Sequence, residues 1–451
     1  MGLKFDKLNI PNMGPTQPPQ QPPQPPPGTR SAIPIQIIGN PIGTPIGVPA
    51  ATMAVNTTKE SKPIPPPQVP GAGLKRALNY YADYAGCGWW RMIAPETLLN
   101  IEQKAIINGL TTMVIDPRFY QGIQAVRLQR QATPVQLEFL KFLKNGQKYH
   151  GGKIIYEIDD IIVKDDIPDF NRCKVAFEDE KILASCLEMM QLSDEISVTC
   201  QFMKEYYQEK TGNKNITVLP NYPAKMWMDG HYNRERILQN YYTHKKKPRI
   251  AYIGSGTHID VTNRTNQVDD FFHVVDTIIA TRNKFHWVFV GAFPLRLKPF
   301  IDRGEIEFIR WFPLKDLAKA YTTINCQAVY APLMNCTFNK AKSNIKYLEA
   351  ATCGIPGVFQ DLVTYNDAPL LFTTGQDLID QLDLLLKDEH MYMRHSDEAR
   401  KYADTMWLDD HLDEFVELYF TKINDPKREK LLRLNPDQKS NITHENSMFK
   451  T

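Results

Sequence analysis

The chain has 451 residues, 42% hydrophobic and 23% charged, with a formal net charge of +2. Such a composition belongs to a soluble globular protein of two or three domains, and so small a charge gives no strong electrostatic signal for nucleic acid or membrane, though a local basic patch could still bind DNA. The seven scattered Cys and ten His form no CxxC pair, HExxH motif or zinc-spaced cluster. Reduced thiols, no metal, no cofactor and a cytoplasmic location are therefore expected. No run of about 18 apolar residues predicts a membrane span, and "MGLKFDKLNI" lacks the apolar core of a signal peptide.

Residues 1–72 hold roughly half of the 33 prolines and few charges or aromatics. This segment cannot bury enough apolar surface to offset its ordering entropy, which predicts a disordered, polyproline-like arm. The arm could dock a protein partner, and "IPIQIIGNPIG" is its one apolar island. Order is expected from about residue 73. "RALNYYADY", "TTMVID", "IQAVRLQR", "KIIYEID", "EISVTC" and "NITVLPN" read as strands. Between them "WWRMIAPETLLNIEQ", "PVQLEFLKFLKN", "KILASCLEMMQLS" and "MKEYYQEKTG" read as helices. Alternating strands and helices predict a parallel sheet covered on both faces, a first Rossmann-like domain over 73–222.

Residues 223–247 read as an irregular linker ending in "HKKK". A second doubly wound domain is expected over 248–424, with strands "RIAYIG", "HWVFVG", "IEFIRW", "AVYAPL" and "PGVFQ", followed by three amphipathic helices. Residues 425–451 read as a polar tail.

Ligands of doubly wound sheets sit beyond the carboxyl ends of the strands. "YIGSGTHID" after the first strand of the second domain offers Gly254 for close backbone approach and Ser255, Thr257 and His258 as polar groups. The segment "FNKAKSNIKYLEAATCGIP" (338–356) reads as one helix ended by Gly354 and Pro356. At about 100° per residue, Asn339, Lys342, Lys346 and Glu349 share one stripe, while Ala341, Ile345 and Leu348 form a separate apolar face. Lys342, Ser343 and Lys346 near the helix start suit a diphosphate, and Glu349 two turns deeper suits ribose hydroxyls. In the first domain, "YAGCGWWR" places Gly86 and Gly88 at a tight turn before Arg91, and "YEIDD" sets Asp159 and Asp160 at the end of a strand.

These stretches, with "VFVG", "YAPL" and "LPNY", resemble nucleotide-sugar-dependent glycosyltransferases of GT-B fold, close to the retaining GT4-like group. The resemblance covers roughly residues 75–420. It implies two Rossmann-like lobes, a nucleotide-sugar donor on the second, an acceptor on the first, and metal-independent transfer with retention. Glu349 matches the family's ribose-binding glutamate, and the turn at Gly86, Gly88 and Arg91 matches its glycine-rich loop facing donor and acceptor. Asp159 and Asp160 take the catalytic positions, Asp159 where many relatives have histidine. Ala341 stands where many members carry a second glutamate. Asn339, Lys342 and Ser343 are expected in its place, with Arg264 as a further diphosphate group.

Two other readings remain at this point. A metal-dependent transferase would hold Mg²⁺ or Mn²⁺ on "IDD"; two separate α/β halves argue against it, and EDTA sensitivity discriminates. A non-catalytic GT-B-fold protein docking through its Pro-rich arm is the other. The acceptor is open among a modified DNA base (as in a phage-encoded enzyme of the host cytoplasm), a surface glycan and a protein. Arg127, Arg130, Lys141, Lys144, Lys148 and Lys153 give the first domain basic character.

The arm's composition generates one prediction. Deleting residues 1–70 is expected to leave the thermal midpoint nearly unchanged; a large fall would show that the apolar island packs on the folded body.

Overall fold

The computed structural model describes residues 73–313 and 316–422. The Pro-rich arm and the polar tail lie outside the described residues. Among them are two six-stranded parallel sheets. The first comprises β1 (Arg76–Tyr80), β2 (Ile106–Leu110), β3 (Ala125–Gln129), β4 (Lys153–Glu157), β5 (Glu195–Val198) and β6 (Ile216–Val218), in the order β2-β1-β3-β4-β5-β6. The second comprises β7 (Arg249–Gly254), β8 (His286–Gly291), β9 (Glu307–Ile309), β10 (Ala328–Ala331), β11 (Gly357–Gln360) and β12 (Leu371–Phe372), in the order β12-β11-β10-β7-β8-β9. The strand order reverses direction between β1 and β3 and between β7 and β10. Those are the switch points where a doubly wound sheet opens a crevice at its carboxyl edge.

Both sheets are short apolar runs because each is covered on both faces. Tyr156, Ile196, Val126 and Leu140 are fully buried in the first half, as are Ile250, Phe289, Trp287 and Val358 in the second. Helix ends follow local chemistry. Helix Pro134–His150 begins at a reciprocal Thr133/Gln136 cap with Pro134 as its first residue. Gly354, at φ +68°, ends the preceding helix in a conformation that a side chain disfavours.

Several elements differ from the sequence reading. The second strand is Ile106–Leu110, in register with β1, and Thr111–Asp116 follows it as a loop. The supposed linker contains helix Arg234–Thr243, whose Ile237 and Tyr241, one turn apart, enter the second core. A further strand, β12, pairs with β11. Helix Leu408–Phe420, assigned to the second domain, instead packs on the first sheet, where Phe415, Leu418 and Tyr419 join Ala77, Ala125 and Ile155.

Three buried charges organise the first half. Glu157, the last residue of β4, receives Arg91 and Arg127, and all three side chains are at most 1% exposed. Ser197 also donates to Glu157. Burial opposes ionisation of Glu157, but the two guanidinium groups outweigh it and hold the carboxyl below its usual range. Arg91 Nη1 donates to the carbonyls of Leu219 (2.6 Å) and Pro220 (3.2 Å) and to Asn221 Oδ1 (3.2 Å), where the chain leaves the first sheet. Arg127 donates to the Arg91 carbonyl at 2.9 Å and lies against the rings of Phe415 and Tyr419. Arg91 is thus a structural centre rather than a group facing a ligand, and Arg127 is not on the surface. Four of the other basic residues singled out in this half are paired: Arg130 with Asp83, Lys141 with Glu138 and Glu188, Lys144 with Asp194, and Lys153 with Glu195.

Glu157→Gln would leave two buried guanidinium groups facing a neutral amide. The expected loss is about 3–5 kcal/mol of unfolding free energy, read from urea midpoints at constant slope; a loss below about 1 kcal/mol would mean that the pairs contribute nothing net.

Candidate active site

The carboxyl edges of the two sheets face a common cleft, and their charged groups meet there. Asp160, just past β4, pairs with Lys342 of the second half: its Oδ1 and Oδ2 lie 2.9 and 2.7 Å from Nζ. The Lys342 and Asp160 side chains are only 19% and 26% exposed. Burial disfavours both charges; it leaves the Asp160 carboxyl raised, while in Lys342 the attraction of Asp160 prevails and raises the ammonium as well. Asp159 faces Arg130 Nε at 3.5 Å, and Arg130 also pairs with Asp83 beside the glycine loop. Gly88 is needed there because a Cβ would stand 1.8 Å from the Asp83 carbonyl oxygen. Gly86 opens the same turn. Trp90 is core, and Trp89 meets Trp227 edge-on, ring centroids 4.6 Å apart.

The segment read as one helix is two. Helix Thr337–Lys340 ends at Ala341, and helix Ile345–Thr352 starts beyond a break. Long-range partners hold the break: Ser343 Oγ accepts from Asn221 Nδ2 at 2.9 Å, and Asn344 Nδ2 donates to Asp367 (3.1 Å) and Tyr402 (2.7 Å). The single polar stripe is therefore not a geometric fact. Phe338 and Ala341 face the other way, into the core of the first half, and the Cys200 thiol donates to the Ala341 carbonyl at 3.5 Å. Lys342 Nζ lies 4.1 Å from the centre of the Phe338 ring.

Behind Lys342 runs a chain of buried polar groups. Asn339 is fully buried rather than displayed: its Nδ2 donates to Asp270 (2.6 Å) and to the Met334 carbonyl (2.9 Å). The second Asp270 oxygen lies 2.8 Å from His258 Nδ1. Burial and the nearby Lys346 and Lys342 charges push the His258 pKa well down, so the ring is neutral. Its partners then assign the proton to Nδ1, which donates to Asp270, and leave Nε2 to accept from Lys346 Nζ at 3.3 Å. Burial raises Asp270 to about 7.

Glu349 is buried, 8% exposed, and accepts from the Tyr321 hydroxyl at 3.0 Å. Burial raises its carboxyl to about 7 against the pull of Tyr321 and Lys346, and lowers Lys346 to about 8 against the pull of Glu349. Ser255 and Thr257 share a hydroxyl contact of 2.8 Å on the exposed turn after Gly254, the last residue of β7. Arg264 lies on an exposed loop whose backbone is folded around Asp260.

The structure thus gathers Asp159, Asp160, Lys342, Ser343, Lys346, His258 and Glu349 around the cleft and removes Arg91 and Asn339 from direct display. The sequence reading did not find Asp83, Asp270 or Tyr321. The paired acids of "VDD" (268–270) were a usable signal for Asp270; Tyr321 had none. Among the described residues, no group of three or more His, Cys, Asp or Glu side chains could hold a metal, and no helix is long and apolar enough to cross a membrane. A cavity of about 500 Å³ opens between the halves, lined by Asp165, Asp166 and Asp169 on one side and Thr265, Met334 and Cys336 on the other.

No protein-family model and no curated protein sequence matches the chain. Solved structures do. Anabaena HepE in complex with UDP and glucose aligns at TM-score 0.51 and 10% identity over 76% of this chain and 98% of that one. HepE in complex with UDP-glucose aligns at 0.51 and 10% over 76% and 99%. An alpha-glucosyltransferase in complex with UDP and DNA containing an HMU base aligns at 0.49 and 10% over 77% and 99%, too loosely to argue from. The chain has the GT-B fold. At such identity the likeness extends to the fold alone.

Because Glu349 is buried against the Tyr321 hydroxyl, its loss reaches stability as well as binding. Glu349→Ala would strand a buried Tyr321 hydroxyl, and thermal unfolding is expected to report a loss of about 1–3 kcal/mol. Glu349→Ala/Tyr321→Phe should recover part of it.

Proposed function

We propose that this protein is a glycosyltransferase that moves a sugar from a nucleotide-sugar donor to an acceptor hydroxyl, with retention and without a metal. The observation that carries the reading is the meeting of Asp160 and Lys342 across the two carboxyl sheet edges, with Lys346, His258 and Glu349 behind Lys342. When a glycosidic bond to a nucleoside diphosphate breaks, negative charge collects on the leaving phosphate. Ammonium groups already fixed in a water-poor cleft stabilise that charge without reorganising. Lys342 and Lys346 fill this role; Glu349 accepts from the ribose hydroxyls, and the Gly254–Ser255–Thr257 turn closes on the donor. Asp160 and Asp159 face the acceptor from the first half. The UDP and UDP-glucose held by HepE make these the first ligands to try.

For the acceptor, Asp165, Asp166 and Asp169 line the cavity between the halves, and Lys141, Lys144 and Lys153 of the first half have acidic partners. The acidic lining of the cavity favours a neutral glycan or protein hydroxyl over the polyanion of DNA. Ala341 supports a second reading, a binding protein that keeps the donor site without transfer, because its methyl group is sealed in the first-half core where many resembling enzymes carry glutamate.

Incubation with a panel of UDP-sugars, GDP-sugars and dTDP-sugars tests the enzyme directly. Slow donor hydrolysis, abolished in Lys342→Met, is expected; tight donor binding with no hydrolysis and no transfer to any of a panel of acceptors would favour the binding protein. Glu349→Ala should weaken nucleoside diphosphate binding roughly tenfold or more, the magnitude of a charge-assisted pair of bonds. Unchanged binding would remove Glu349 from the site.

Affinity should also depend on pH with a definite sign. The ribose favours ionised Glu349, present above about 7, and the diphosphate favours protonated Lys346, present below about 8. Binding is expected to be strongest between those values and to fall on either side. Lys346→Gln should remove the alkaline fall.

A further inference from the structure

We propose that in the donor-free protein Asp160 occupies the place on Lys342 that the donor's diphosphate takes, so that donor binding must displace this carboxylate and thereby frees it toward the acceptor. The inference rests on the nucleotide-sugar reading above. Both Asp160 oxygens face a single ammonium, at 2.9 and 2.7 Å, which is how two oxygens of one phosphate would meet it. On another side the ammonium is covered by the Phe338 ring at 4.1 Å. A second anion therefore competes with the carboxylate for the same few donor positions, and the two anions repel each other in a cleft of low exposure.

The geometry also says what moves. The Asp160 carbonyl accepts from the Tyr207 hydroxyl at 2.6 Å, and the Ile162 amide donates to that hydroxyl at 3.3 Å, so the backbone is held from both sides. Release is left to the side chain. Asp159 and Cys87 stand beside it, and Arg130 is already shared by Asp83 and Asp159. Lys342 is the ion-pair partner of Asp160, whose carboxylate is otherwise held by the Ile161 amide, donating to Oδ1 at 3.1 Å, and by the more distant attraction of Arg130. A site partly occupied by its own side chain binds its ligand with an affinity reduced by the occupied fraction. Asp160 thus sets the donor affinity from the acceptor side of the cleft.

Calorimetric titration of the full chain with UDP, GDP, dTDP and their nucleosides tests this in the parent, Asp160→Asn, Asp160→Ser and Lys342→Met. The two Asp160 variants should bind the preferred nucleoside diphosphate roughly threefold or more tighter than the parent, with nucleoside affinity unchanged. Added to Lys342→Met, Asp160→Asn should bring no gain. A role confined to holding the halves together would instead lower the thermal midpoint and leave affinity equal or weaker; equal or weaker diphosphate binding by both folded variants overturns the proposal while leaving the donor site in place. Absence of nucleoside diphosphate binding in every protein overturns the donor reading and this one together.

Discussion

The first half of the molecule is arranged around one constraint: the carboxylate of Glu157 must neutralise two guanidinium groups that have no access to water. Removing charges from water costs several kcal/mol each unless geometry and hydrogen bonds compensate. Here they do, and the compensation fixes far more than a pair. Arg91 reaches the carbonyls where the chain leaves the first sheet, Arg127 reaches the returning helix through Tyr419, and Asn221, held by Arg91, reaches Ser343 in the second half. Glycine loop, exit strand, last helix and lysine-bearing break are referenced to one buried point.

A second compromise lies in the other half. Lys346 and Glu349 are both buried, and burial moves each toward its neutral form. A ligand bearing negative charge beside the ammonium and hydroxyls beside the carboxylate would relieve both.

The sheets were legible because strands covered on both faces must be largely apolar, and "IAYIG", "WVFVG" and "IIY" form the apolar centres of three of them. "TTMVID" has the same β-branched content but lies past the register that Ile106 and Ile107 make with β1. The break at 341–344 was not legible: Asn221, Asp367 and Tyr402, which hold it, are distant in sequence, while local propensity favours a continuous helix. Lys342, Lys346 and Glu349 gather at the cleft although the stripe that suggested them does not exist, because what brings them there is the carboxyl edge of the sheet. Arg91 was misplaced for a different reason. Its partner Glu157 looked like one more polar residue near a strand end. Arg127, flanked by Val126 and Leu128 in a central strand, did carry a signal, since a charge in such a strand has no exposed face to occupy.

The return of helix Leu408–Phe420 to the first half has a mechanical corollary. Two strands of chain cross between the halves, one after β6 and one before Leu408, and they are tied to each other: the Leu408 amide donates to the Pro223 carbonyl at 2.8 Å, the Lys225 amide to Asp409 at 2.9 Å, and Tyr222 stacks on His411. Two crossings tied to each other constrain twisting and sliding of the halves more than a single linker would. They also bring both ends of the described chain to one body, with the Lys75 ammonium over the Phe420 ring at 5.6 Å. The described chain therefore begins and ends on the first half, and the second half is an insertion held at both of its chain crossings.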